Sequence, residues 1–124
     1  MPITERRRNE RGYNQCELLV DEIGRLEQES GSNRLSITKD LLVRIHHTAR
    51  QTLKGRQDRI ESAQGIFGID KKVLEHLIQA HPDLKQKTVV VIDDVITTGS
   101  TMYEAIETLK KAGFKKVYGL SLAH

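Results

Sequence analysis

Val89-Val90-Val91-Ile92-Asp93-Asp94-Val95-Ile96-Thr97-Thr98-Gly99-Ser100-Thr101 is the most informative stretch of the chain. Its first part, with Thr88 ahead of it and running to Ile92, is a run of β-branched residues with no polar alternation. Such runs form strands buried on both faces, as in parallel sheets. Beyond the stretch, Met102, Ala105, Ile106 and Leu109 recur at helical spacing and stop at Gly113, after which Val117 to Leu122 reads as another strand. Strand, tight loop, helix, glycine and strand make a βαβ unit. The class is therefore α/β with a parallel sheet flanked by helices.

The same stretch carries chemistry. Ligands in open α/β sheets sit beyond the carboxyl ends of the strands, and Asp93 and Asp94 fall at that end. Two adjacent acids there are costly unless paired or solvated, but they can accept hydrogen bonds from vicinal hydroxyls. Thr97, Thr98, Gly99, Ser100 and Thr101 then lead into a helix. Backbone N–H groups at a helix N-terminus, aided by the positive end of its dipole, bind phosphate, and hydroxyl side chains add donors. Taken singly, the acids could cap a turn and Ser100 could cap the helix. In this order, acids for sugar hydroxyls and a small-residue loop for a phosphate describe a ribose 5-phosphate cradle. The stretch contains neither the Gly-Lys-Ser or Gly-Lys-Thr of a Walker A loop nor a GxGxxG fingerprint.

Upstream, Asn14 is a candidate N-cap for a helix whose apolar positions are Cys16, Leu19, Ile23 and Leu26, fading by Glu29 before Ser30-Gly31-Ser32-Asn33. Leu41 to Ile45 and Gly65 to Ile69 read as strands. Between them Thr48 to Glu61 carries Arg50, Lys54, Arg56 and Arg59 and reads as a mobile basic loop running into a short helix. Val73, Leu74, Leu77 and Ile78 place an amphipathic helix over Lys71 to Ala80, closed before His81-Pro82.

The 124 residues suit one domain, 1–124, with one modest core. A net charge of +3, from 20 basic and 17 acidic residues, suits an anionic small molecule better than a dedicated nucleic-acid face. With 4% aromatic residues there are few rings on which bases could stack. Cys16 is the only cysteine, so one chain can form neither a disulfide nor a cysteine-based zinc site; on its apolar stripe it reads as core. His46 and His47 are adjacent in an extended segment and point to opposite faces, and His76, His81 and His124 lack ligand-like spacing and read as surface residues. No apolar segment follows Arg6-Arg7-Arg8, and no run is long enough to span a membrane, so a cytoplasmic setting is expected.

The quoted stretch resembles the phosphoribosyl pyrophosphate (PRPP) motif of type I phosphoribosyltransferases, and the wider chain resembles their ComF-type members, the competence-protein relatives of amidophosphoribosyltransferases. Arg8-Asn9-Glu10-Arg11-Gly12-Tyr13-Asn14-Gln15 is similar to that group's Arg-Gly-aromatic-Asn-Gln element. Arg44, Thr48, Gln51, Leu53 and Arg59, followed by Gly65 and Phe67, resemble its central segment, and Leu120-Ser121-Leu122-Ala123 its last strand. The resemblance implies a phosphoribosyltransferase that uses PRPP and releases pyrophosphate. Asp93 and Asp94 would hold the ribose hydroxyls, and Thr97 to Thr101 the 5-phosphate. Pro2-Ile3-Thr4 would be the remnant of a pyrophosphate loop. Arg11, Arg50 and Arg59 would stabilise the departing charge, and magnesium would be held mainly by substrate.

The chain departs from that group's pattern at three places. Ser62 stands where the group usually has Asn, the helix over 71–80 is an insertion, and no apolar strand or four-cysteine zinc module precedes Met1-Pro2-Ile3. The strands at 41–45 and 88–92 are therefore expected either to pair directly or to flank a gap, with the chain a fragment or a partner supplying an edge. Two further readings stay open: a PRPP or nucleotide sensor without catalysis, and a competence accessory protein that contacts DNA during uptake. The acceptor and the oligomeric state are not legible.

Overall fold

A computed structural model describes residues 1–2, 14–32, 34–45, 60–61, 65–95 and 99–123. Its elements in chain order are α1 (Gln15–Glu29), β1 (Leu42–Arg44), β2 (Ile60–Glu61), β3 (Phe67–Asp70), α2 (Lys71–Ala80), β4 (Thr88–Val95), α3 (Ser100–Lys111) and β5 (Lys116–Ala123), with a short 3₁₀ turn over Leu84–Gln86. The first two helices begin where side chains can satisfy their first N–H groups. Asn14 Oδ1 accepts from Cys16 N at 3.0 Å, and Asp70 Oδ1 accepts from Lys72 N and Val73 N at 3.0 and 3.3 Å.

β4 and β5 pair in parallel, with Val89 opposite Val117, Ile92 opposite Leu120 and Asp93 opposite Ser121. α3 connects them and buries Met102, Ala105 and Leu109, as the βαβ reading requires. The helix lies close on the sheet because position 119 has no side chain: a Cβ there would stand 2.7 Å from Met102 Sδ and 2.8 Å from its Cγ. Gly119→Val is therefore expected to overpack this contact and lower stability by about 1–3 kcal/mol, measured as a reduced urea midpoint with an unchanged slope.

The other strands do not join this sheet. β3 lies between β1 and β2 in a separate antiparallel sheet, with Leu42 opposite Ile69, Arg44 opposite Phe67 and Ile60 opposite Asp70. Flanking bonds extend the β1–β3 pairing, from Ile45 N to Ile66 O at 2.7 Å and from Asp70 N to Leu41 O at 2.9 Å. The short helix expected to end at Glu61 is corrected: Ile60–Glu61 is a strand. Pairing there satisfies the backbone along the second edge of β3, which a solitary turn of helix would leave open. The rest of the expected basic loop, 48–59, lies outside the described residues.

β1 and β4 are not partners. Met1 and Pro2 bridge them: the Met1 amine donates to Ile92 O at 2.8 Å, and Arg44 Nε donates to Pro2 O at 3.4 Å. Neither expected arrangement within one sheet is found: β1 and β4 belong to separate sheets, with residues 1–2 bonded to both.

One core joins the two sheets. Leu41, Phe67 and Ile69 meet Val91, Met102, Ala105, Leu109, Phe114 and Val117, with Val73, Leu74 and Leu77 of α2 packed against its edge. α1 contributes less than its stripe promised. Cys16 is buried, whereas Leu26 is 51% exposed. His76 is exposed and His81 half-buried. Among the described residues, no helix is long and apolar enough to cross a membrane.

Candidate functional site

The parallel pairing brings three chain segments to the carboxyl end of β4. Asp93 and Asp94 lie near its end, half-buried, with Ser121 of β5 beside them: Ser121 Oγ donates to the Asp94 carbonyl at 3.4 Å. α3 starts five residues beyond β4. α1 brings the third segment, because Cys16 Sγ donates to Asp93 Oδ1 at 3.4 Å.

Asp93 is the centre of this arrangement. Its Oδ1 also accepts from Asp94 N at 2.9 Å. Burial pushes the Asp93 carboxyl above the ordinary carboxylate range. The side chain of Asp94 adds to this through a hydrogen bond and its charge, while the donors on Cys16 and the Asp94 backbone oppose it. Burial likewise pushes the Cys16 thiol up, so the protonated donor is its resting form. Asn14, 3% exposed, fixes the start of α1 through Cys16 N and donates from Nδ2 to Met1 O at 2.9 Å.

At the N-terminus of α3, Gly99 is the cap residue with φ +81°, and Tyr103 N closes the first helical bond on Gly99 O at 2.9 Å. A left-handed residue here lets the chain turn from the loop into the helix, which glycine does without a Cβ clash. The first turn directs backbone N–H groups outward at the positive end of the helix dipole. Ser100 is exposed and Thr101 half-buried.

Of the residues singled out from sequence, Asp93 and Asp94 lie near the end of β4, and Gly99, Ser100 and Thr101 lie at the start of α3. Thr97, Thr98, Arg11, Arg50 and Arg59 lie outside the described residues, as do Ile3, Thr4, His46, His47, Ser62 and His124. Cys16, expected in the core, is buried, but against the site rather than within the main cluster. Asn14, Cys16 and Ser121 are additions that periodicity could not have found.

Cys16, Asp93 and Asp94 bring one sulfur and two carboxylate oxygens within 4.8 Å of one another. The donor set is mixed. Magnesium takes oxygen ligands and a buried protonated thiol is a poor one, so the two carboxylates fit that ion and Cys16 does not.

A parallel strand with two acids near its carboxyl end, followed by a helix whose start is capped by a left-handed glycine, is an arrangement of the α/β class. The chain belongs to the phosphoribosyl transferase domain family, whose pattern matches residues 19–121. Within that family it is of the ComF type. It is similar to Competence protein F of Haemophilus influenzae, 30% identical over an alignment of 125 residues that covers 99% of this chain and 48% of that protein. It is also similar to a ribose-phosphate pyrophosphokinase of Thermococcus kodakarensis, 34% identical over 74 residues, covering 52% of this chain and 26% of the relative. With an orotate phosphoribosyltransferase of Sulfolobus acidocaldarius the identity is 36% over 64 residues, covering 50% and 32%. The chain thus corresponds to less than half the length of each of these relatives. No solved structure gives a significant match.

Proposed function

We propose that this chain binds PRPP at the carboxyl end of β4 and transfers its 5-phosphoribosyl group to an acceptor, releasing pyrophosphate. The observation that carries this reading is the order of the parts: Asp93 and Asp94 near the end of β4, then the Gly99-capped start of α3 five residues beyond that strand. The acids accept the ribose 2- and 3-hydroxyls. Thr97, Thr98, Gly99, Ser100 and Thr101 receive the 5-phosphate through backbone N–H groups and hydroxyls.

With both ends of the sugar held, the reacting carbon is positioned without a covalent nucleophile. Cationic character develops at that carbon as pyrophosphate leaves. The carboxylates of Asp93 and Asp94 lie on the ribose side, and Arg11, Arg50 and Arg59 supply the charge that receives the leaving group. Asp93 and Asp94 are the protein groups that would suit a magnesium ion, which would supply further positive charge to the pyrophosphate.

Titration of PRPP into the protein with magnesium, followed by an assay for pyrophosphate release with candidate acceptors, tests the proposal. Saturable binding is expected, and its absence from the folded protein would sink the reading. Binding with no turnover across acceptors would replace it with a non-catalytic PRPP sensor. The similarity to Competence protein F makes DNA the other ligand to assay; salt-sensitive DNA affinity without PRPP binding would favour an accessory role in uptake.

The phosphate side has its own prediction. Alanine at Gly99 would have to hold the left-handed conformation at about 1–2 kcal/mol. Gly99→Ala is expected to shift the loop and weaken PRPP binding by roughly tenfold or more. Calorimetry at matched folded fractions checks it, and unchanged affinity would remove this turn from the site.

A further inference from the structure

We infer that Cys16 is a positioning residue for Asp93, orienting its carboxylate toward a pentose hydroxyl and thereby contributing to selection of the sugar. This rests on the reading that Asp93 accepts a ribose hydroxyl. Cys16 and Asp93 are 77 positions apart in the chain, yet the thiol donates to Asp93 Oδ1 at 3.4 Å. The same oxygen accepts from Asp94 N at 2.9 Å. Both donors engage Oδ1, so the orientation of the carboxyl group is set at that oxygen by two separate chain segments.

The donor is itself held. Cys16 is 3% exposed, and its backbone N–H is bound by the buried Asn14 side chain at 3.0 Å. Asn14 in turn grips Met1 O at 2.9 Å. Helix α1 therefore reaches Asp93 through the thiol of its second residue, held in place by the cap. A carboxylate restrained at one oxygen loses less freedom when the other binds, and a hydroxyl aligned with that second oxygen is favoured over its absence. The thiol is a weak donor, so the effect is a matter of orientation and of modest size.

Binding of ribose 5-phosphate, 2-deoxyribose 5-phosphate and 3-deoxyribose 5-phosphate to the full chain tests the inference. The proteins compared are wild type, Cys16→Ala, Cys16→Ser and Asp93→Asn. Cys16→Ala is expected to weaken ribose 5-phosphate binding by about 3- to 10-fold and to shrink the preference over one of the deoxy sugars by the same factor. Affinity for that deoxy sugar, which lacks the hydroxyl concerned, should change little. Cys16→Ser keeps a hydroxyl donor in nearly the same volume and should restore most of the preference, which also guards against a folding defect in the alanine variant.

Equal weakening for all three sugars would make Cys16 merely structural and overturn the inference. So would an unchanged preference in Cys16→Ala while Asp93→Asn abolishes it. Unchanged preference in Asp93→Asn would instead overturn the ribose role of Asp93, and the inference would fall with it.

Discussion

Replacing both acids, Asp93→Asn with Asp94→Asn, is expected to weaken PRPP binding at least about 100-fold while leaving the protein folded. A hydrogen bond to a charged acceptor contributes about 1.5–3 kcal/mol. Two such bonds lost together amount to roughly 3–6 kcal/mol, and every 1.4 kcal/mol is about tenfold in affinity. The local structure should tolerate the change. The amide introduced by Asp93→Asn can keep accepting from the backbone N–H of position 94 and from Cys16 Sγ through its remaining oxygen, since both donors already share one oxygen.

The stability of the single variant Asp93→Asn carries a sign that separates function from folding. In the folded protein the Asp93 carboxyl is pushed up, first by burial. An acid whose folded pKa exceeds its unfolded value, about 3.9 for Asp, holds its proton more tightly when folded. Its favourable contribution is present at low pH and lost as pH rises from that value through the raised one. At neutral pH the ionised group therefore costs stability, and the neutral side chain of the Asp93→Asn variant should let it unfold at an equal or higher temperature than wild type. The difference should shrink as pH falls toward about 4. PRPP affinity of the wild type should fall in the opposite direction, weakening as acidification protonates Asp93. Calorimetric titration and thermal unfolding at two pH values check both. Retained affinity would dismiss the acids as the ribose site; a marked stability loss at neutral pH would make them structural instead.

Phe67→Ala should have the largest effect on stability, about 3–5 kcal/mol. Phe67 is 1% exposed in the central strand of the antiparallel sheet, and its ring shares a core with Val91, Met102 and Leu109 of the βαβ unit. The Arg44 guanidinium lies over it, 5.1 Å from the ring centre, an attraction of about 0.5–1 kcal/mol at an exposed site. Against a total of about 5–15 kcal/mol for a domain of ordinary stability, the loss is severe. It corresponds to a fall of roughly 10–20 °C in melting temperature. α3 spans from this core to the candidate phosphate loop, so ligand affinity should decline with the folded fraction. A loss below about 1 kcal/mol would show that the two sheets do not share a core.

Much of this protein was legible locally. The uninterrupted β-branched run predicted β4, the i, i+3, i+4 spacing predicted α3, and the apolar stripe with a turn at His81-Pro82 placed α2 over Lys71–Ala80. Asn14 read as an N-cap and is one. The order of acids, small residues and helix singled out the candidate site because each part has a backbone role within a dozen residues. Such signals come from steric preference and from hydrogen bonds between near neighbours, which a sequence window contains.

Such a window does not contain which distant groups meet. Strands 42–44, 60–61 and 67–70 carry apolar residues that suit either pairing direction, and the antiparallel order with β3 in the centre is visible only in the fold. Gly119 looks like any strand glycine until Met102 lies 2.7 Å from where its Cβ would be. Cys16 fits an apolar stripe by period, and its thiol became part of the candidate site only when α1 docked against the end of β4. The βαβ unit and its acids were thus written into the chain locally, since period, capping and turn chemistry act over a few residues. The second sheet, the close seat of α3 and the partner of Asp93 emerged only on folding, because contacts between distant residues depend on how whole elements pack.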